Sequence, residues 1–187
     1  QPVFGRILSN SVYQSPASLF AANYVNLALE CEVAVTMAFD LEANDKGVDR
    51  DTVFDAIEHL QLAFELVDIR QSTSENSLIQ SIATNIHGAG VVLGQPITNW
   101  RELDIPSAKC ELKLDGVSVG TGQGSDVNGH PVEPMIWIAK TLNAMGGSLK
   151  KGDIVITGSM IPPIEVKPGM KAALQMDLLG EITLDVE

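Results

Sequence analysis

The sequence predicts one α+β domain, a rolled or sandwiched mixed sheet richer in strand than helix and carrying two main helices. Three observations lead there. Residues 27–41 alternate with a period of two along one long strand. Two further alternating runs, 108–114 and 117–120, flank Asp115-Gly116, a two-residue hairpin turn. Helical spacing is confined to two stretches, one after Asp51 and one over 131–145.

Taken in order, residues 1–26 read as irregular, because Pro2, Gly5 and Pro16 break up short apolar pieces. In the strand over 27–41, Leu29, Cys31, Val33, Val35, Met37 and Phe39 share one face. Ala28, Glu30, Glu32, Ala34, Thr36 and Ala38 share the other. Residues 42–50 read as a polar loop. Asp51 is placed to cap a helix running to about Leu62, with Val53, Phe54, Ile57 and Leu60 inward. Residues 63–70 read as a strand, 71–87 as loop, and 89–93 as a short strand ended by Gly94. After the hairpin, the helix over 131–145 has Pro near its start and Gly146-Gly147 past its end. A strand over 153–157 and two final strands, punctuated by Pro168-Gly169 and Leu179-Gly180, complete the chain.

Bulk properties narrow the function. With 12 basic against 24 acidic residues and a net charge of −12, the chain lacks the cations that displace phosphate counterions. Nucleic acid is therefore an unsuitable partner, and no apolar run reaches the roughly 20 residues that cross a bilayer. Cys31 and Cys110 both sit in alternating apolar runs and read as small buried hydrophobes, which fits a reducing cytoplasm. The chain begins at Gln1 rather than Met, as a fragment would. His59 falls in the Asp51 helix, His87 near the presumed cleft and His130 at a helix start, and they form no metal motif. The Gly120–Gly124 cluster closes a hairpin strand instead of joining strand to helix, so it is not read as a phosphate loop.

The chemistry is concentrated at Glu30 and Glu32. Two residues apart on a strand, they project to one face about 6–7 Å from each other. A solvated sheet edge is the ordinary explanation of a lone Glu-x-Glu pair, but the opposite face is apolar and their own is otherwise small, and a strand covered on both sides must neutralise its acids. Hard oxygen ligands suit Mg²⁺ or Mn²⁺.

The run from Leu27 to Met37 resembles the Glu-x-Glu strand of the fumarylacetoacetate hydrolase superfamily. More narrowly, it resembles the branch of 2-keto-4-pentenoate hydratase, 2-oxohept-3-ene-1,7-dioate hydratase and 4-oxalocrotonate decarboxylase. Phe64-Glu65-Leu66-Val67-Asp68-Ile69-Arg70 is similar to that branch's segment carrying the third metal ligand. The likeness continues through Ala83-Thr84-Asn85, Gly122-Gln123-Gly124-Ser125, Gly129-His130-Pro131 and Trp137-Ile138-Ala139 to the stretch from Leu149 to Ser159. The resemblance implies a mixed β-roll of the fumarylacetoacetate hydrolase C-terminal type, with Glu30, Glu32 and Glu65 holding Mg²⁺ or Mn²⁺. It also implies a 2-oxo or 2-hydroxydienoate acid as substrate and a homo-oligomeric assembly. Thr157 and Ser159, at a strand end, are candidates for hydrogen bonds to substrate or for turn-forming hydroxyls.

The departures are specific. Pro2-Val3-Phe4-Gly5 matches a family Pro-Asp-Phe-Gly whose acid takes part in proton transfer, and here that position is Val3. The family lysine that works with it lies in a segment upstream of this chain. Thr84 and Gln80 stand where relatives carry further acids. A single catalytic-type domain over 1–187, lacking the N-terminal segment, is therefore expected to bind metal but turn over slowly. Hydration of a 2-hydroxy-2,4-dienoate is the expected activity. The alternatives are decarboxylation of a 2-oxo-hexenedioate, hydrolysis of an acylpyruvate, or a catalytically silent metal-binding subunit.

Overall fold

The computed structural model describes residues 2–41, 48–70 and 78–187. Among them are eleven strands: β1 (Val12–Gln14), β2 (Ala17–Leu19), β3 (Leu27–Met37), β4 (Ile57–Asp68), β5 (Gly88–Leu93), β6 (Lys109–Leu114), β7 (Val117–Gln123), β8 (Ile154–Ile156), β9 (Ile161–Glu165), β10 (Lys171–Met176) and β11 (Gly180–Val186). Three α-helices accompany them: α1 (Arg50–Asp55), α2 (Leu78–Ala83) and α3 (Glu133–Ala144).

Two sheets face each other, as the sequence predicts for a rolled or sandwiched fold. The first has the order β1-β5-β4-β3-β8, with β9 sharing the β3 edge with β8. The second has the order β2-β11-β10-β6-β7. The β1–β5 and β2–β11 pairs are parallel and all others antiparallel, so both sheets are mixed. The apolar face of β3 is Leu29, Cys31, Val33, Val35 and Met37, each fully buried. With Leu60, Leu62, Phe64 and Leu66 of β4 it packs in one core with Leu112, Leu174, Ile182 and Leu184 of the second sheet. Period-two burial of this kind removes about 1.5–3 kcal/mol of exposed apolar cost for each large side chain, which is why the long strand dominates local preference.

That dominance corrects the helix expected over 51–62. The helix stops at Asp55, and β4 already begins at Ile57. Residues 57–62 satisfy both periods, but only the strand pairs them with β3, from Thr36 opposite His59 to Val33 opposite Leu62. The cap is also two residues earlier than expected. Asp49, not Asp51, accepts from the Thr52 amide at 2.9 Å, while the Thr52 hydroxyl accepts from the Asp49 amide at 3.0 Å. At the other end, Arg101 donates to the Phe54 carbonyl at 2.6 Å and the Ile57 carbonyl at 3.0 Å, satisfying the orphan acceptors. Of the two main helices expected, α3 alone has its anticipated length.

Three smaller differences follow from tertiary pairing. The irregular 1–26 stretch contains β1 and β2, each three residues long and held only by its parallel partner. The loop expected over 71–87 contains α2, a single short helix with no buried residue. β9 went unread because Pro162 and Pro163 argue against strand. They lie opposite the register shift between Leu29 and Cys31, where no ladder amide is required of them. The loop expected over 42–50 falls largely outside the described residues.

Candidate metal centre

Strand register assembles the predicted glutamates. Glu30 stands directly opposite Glu65 across the β3–β4 pair, and Glu32 stands opposite Ala63 on the same face. Directly opposed side chains on a sheet lie about 4.5–5.5 Å apart at Cβ. One carboxylate oxygen from each of the three lies within 4.8 Å of the others. Glu32 and Glu65 are buried, at 2% and 9% exposure, and Glu30 is half-buried. Ala28, Ala34 and Ala63, all buried, keep the surroundings small.

Three carboxylates in this setting cannot all ionise unaided. Burial pushes Glu32 well above the usual carboxylate range, and the neighbouring Glu65 charge adds to it. Burial also raises Glu65 to about 7, with Glu30 repelling it further. Glu30 is raised by burial as well. Among the described residues none of the three is ion-paired with Lys or Arg. An all-oxygen, buried and uncompensated donor set fits a hard divalent cation.

Thr157 and Ser159 come to the same place, but against the β3 backbone. The Thr157 hydroxyl donates to the Val33 carbonyl at 3.1 Å. Ser159 Oγ accepts from the Cys31 amide at 3.1 Å and donates to the Ile161 carbonyl at 2.6 Å. Between them the Gly158 amide donates to Glu32 Oε2 at 2.7 Å. Gly158 has φ +119°, in a region closed to side-chain-bearing residues, so the crossing needs glycine there. The segment thus straddles β3 at Glu32, between the places where β8 and β9 pair with it.

The N-terminal segment reaches the other side of the centre. The Arg6 amide donates to Asn85 Oδ1 at 2.7 Å, and Asn85 Nδ2 donates back to the Arg6 carbonyl at 2.9 Å. Phe4 meets Trp137 of α3 edge-on at 6.1 Å. Val3 is exposed two residues before Gly5, which itself abuts Asn85 and Ile86. Asn85, Ile86 and His87 are consecutively left-handed, at φ 57°, 51° and 63°. A side chain begun at the following Gly88 would come 3.5 Å from Glu65 Oε1, so this turn borders the glutamates.

The remaining predicted residues are structural. His59 lies on β4 rather than on a helix and contacts Gln61 Oε1 at 3.2 Å. His130 Nδ1 accepts from the Val132 amide at 3.0 Å, and burial lowers its pKa. Cys31 and Cys110 are buried free thiols, Cys110 pushed up by burial to about 11 and Cys31 further still. Sequence reasoning missed the Gly158 amide, because main-chain donors leave no residue-type signal. It also missed the Asn85 clamp and the role of Asp68, whose buried carboxylate accepts from the Val25 amide at 2.8 Å and the Asn26 amide at 3.0 Å to fix the entry to β3.

Comparison with known proteins agrees with this geometry. The fumarylacetoacetate hydrolase C-terminal family model matches residues 7–187. The 2-hydroxyhexa-2,4-dienoate hydratase of Comamonas testosteroni is 31% identical over 186 residues, covering 98% of this chain and 70% of that protein. A 2-keto-4-pentenoate hydratase of Burkholderia vietnamiensis is 28% identical over 97% of this chain and 69% of its own length. Among solved structures, 4-oxalocrotonate decarboxylase from Pseudomonas putida G7, complexed with magnesium and adipate, superposes with a TM-score of 0.90 at 20% identity, over 98% of this chain and 69% of that one. Fumarylpyruvate hydrolase from Pseudomonas aeruginosa, with Mn²⁺ and pyruvate, gives a TM-score of 0.70 at 13% identity, over 94% of this chain and 73% of that one. On the match over residues 7–187, carried by the two-sheet fold around its three converging glutamates, the chain belongs to the fumarylacetoacetate hydrolase C-terminal family.

Proposed function

We propose that this chain is a metal-dependent hydro-lyase that adds water to a 2-hydroxy-2,4-dienoate, with Mg²⁺ or Mn²⁺ held by Glu30, Glu32 and Glu65. The observation that carries the reading is the convergence of three carboxylates, with no Lys or Arg paired to them among the described residues. The 31% identical dienoate hydratase supports the substrate class. When bound there, a divalent cation supplies Lewis-acid charge at the substrate's 2-oxygen and a chelation point for its carboxylate.

The protein's own groups set the geometry. The Gly158 amide donates to Glu32 Oε2 and fixes the orientation of that carboxylate beside the other two. Thr157 and Ser159 have their hydroxyl protons committed to main-chain carbonyls, so their role is to hold the crossing against β3 and not to donate to substrate. The apolar cluster of Ala34, Ala63, Val91 and Leu93 beside the glutamates excludes water from that end of the face.

A second reading, decarboxylation of a 2-oxo-hexenedioate, is favoured by the 0.90 superposition on 4-oxalocrotonate decarboxylase. A third, a silent metal-binding subunit, rests on Val3 at the family acid's position. A cytoplasmic location and homo-oligomeric assembly belong to the same proposal. The test is ultraviolet monitoring of 2-hydroxypenta-2,4-dienoate with added Mg²⁺, alongside titration calorimetry of Mg²⁺. Metal binding with loss of the dienoate absorbance and formation of a 4-hydroxy-2-oxo acid is expected. Release of CO₂ from 2-oxohex-3-enedioate instead would move the assignment to the second reading. Metal binding with neither activity would leave the third.

A further inference from the structure

We propose that His87 is the proton-transfer group of this centre, taking the place of the acid that Val3 lacks. The inference rests on the hydratase reading above. His87 Nδ1 lies 3.3 Å from the Thr84 hydroxyl oxygen. That hydroxyl has a main-chain carbonyl to donate to, Gln80 O at 2.9 Å. A carbonyl can only accept, so the Thr84 proton points there, and the Thr84–His87 bond runs from Nδ1–H to Oγ1. The neutral ring then carries its free lone pair on Nε2. Among the described residues Nε2 is buried and has no hydrogen-bond partner. An orphaned buried acceptor of this kind is costly and marks a place where a ligand group belongs.

The backbone supports the same assignment. Three consecutive left-handed residues, one of them the β-branched Ile86, persist only where the surroundings enforce them. Asn85, the first of them, is clamped to the Arg6 backbone, and Gly88, the residue that follows His87, borders Glu65.

The step balances without an oxidant or reductant. A water O–H bond breaks as its oxygen bonds to C4 of the 2-oxo-3-ene tautomer, and Nε2 takes the proton. The C3–C4 π pair moves to form the enolate. When the carbonyl re-forms, Nε2 returns the proton to C3, so one water is added overall.

Three measurements test this. In the metal-free protein, ¹⁵N spectra of the neutral His87 ring should show Nδ1–H and an unprotonated Nε2. With Mg²⁺ in D₂O, the wild type should exchange the C3 protons of 2-oxobutanoate. His87→Gly, which suits the positive φ, and His87→Asn, whose amide can reach Thr84, should fold and bind Mg²⁺ as before. Both should lose exchange by about 10²-fold or more. Added imidazole should restore exchange to the glycine variant and not to wild type, a recovery that a structural role would not produce. Failure of Mg²⁺ to bind overturns the hydratase reading itself. Normal metal binding with an Nε2–H tautomer, with no exchange in wild type, or with unchanged exchange in both variants, overturns the role of His87 alone.

Discussion

At the scale of single residues, the centre is defined by carboxylates that the fold holds against their preference. Glu65 is raised to about 7, and Glu30 and Glu32 are raised with it. A raised carboxyl binds its proton more tightly folded than unfolded. Their contribution to the stability of the metal-free chain is therefore fully present below about pH 4.5 and lost as pH climbs through about 7. The slope should approach about 1.4 kcal/mol per pH unit for each extra proton held. Urea unfolding in chelator at pH 5 to 8 should show the decline, and Glu32→Gln should flatten it while abolishing metal binding. Asp68 works oppositely. Burial pushes it up, but amides of Asn26 and Val25 and the Arg70 side chain hold it low, so its contribution fails only in acid. Gly158 gives a second prediction. Alanine there meets nothing closer than Val127 at 3.5 Å, so the penalty is purely the φ of +119°. Gly158→Ala should weaken Mg²⁺ binding at least tenfold by calorimetry, while circular dichroism stays unchanged.

At the scale of elements, what was legible in the sequence was whatever had a period. The alternation of Leu29 to Met37 and the Asp115-Gly116 turn place the starts of β3, β6 and β7 to within one residue, but β3 ends at Met37 and not at 41, and β7 runs on to Gln123. Glu30 and Glu32 could be read from that alternation alone, but Glu65 entered through resemblance, since its register opposite Glu30 is a property of pairing. Residues 57–62 were misread because Val53, Phe54, Ile57 and Leu60 fit a helix as well as Leu60, Leu62 and Phe64 fit a strand. β1, β2 and β9 have too few residues, or too many prolines, to declare themselves. His87 and Gly158 act through backbone conformation, which side-chain spacing does not encode. The shortened α1 makes its own prediction. Asp49→Ala removes a reciprocal cap and should cost about 1 kcal/mol, lowering Tm by about 2–4 °C. Because the cap serves α1 and not the glutamates, Mg²⁺ affinity should not change.

At the scale of the molecule, the proposed homo-oligomer has a place to form. α2 buries none of its residues and leaves Leu78, Ile79 and Ile82 more than half exposed. Single exposed hydrophobes are ordinary, but three within five positions of one short helix are a patch. Small-angle scattering should give a mass at least twice 20.0 kDa, and Ile79→Lys with Ile82→Lys should lower it. A monomeric mass for the unmodified chain would refute the assembly.

The parallel pairing of β2 with β11 has a further consequence. Ser15 and Thr183, 168 positions apart, bond in both directions, and the Glu187 amide donates to Leu19 while its carbonyl accepts from Ala21. During synthesis at about 5–20 residues per second, β11, the edge that receives β2, leaves the ribosome after its sheet-mates β6, β7 and β10. For most of that time the β2 segment waits with its backbone unpaired and Phe20 beside it in solvent. Translation must therefore run through β11 before the second sheet is complete, and an interrupted message leaves an open, adhesive sheet edge.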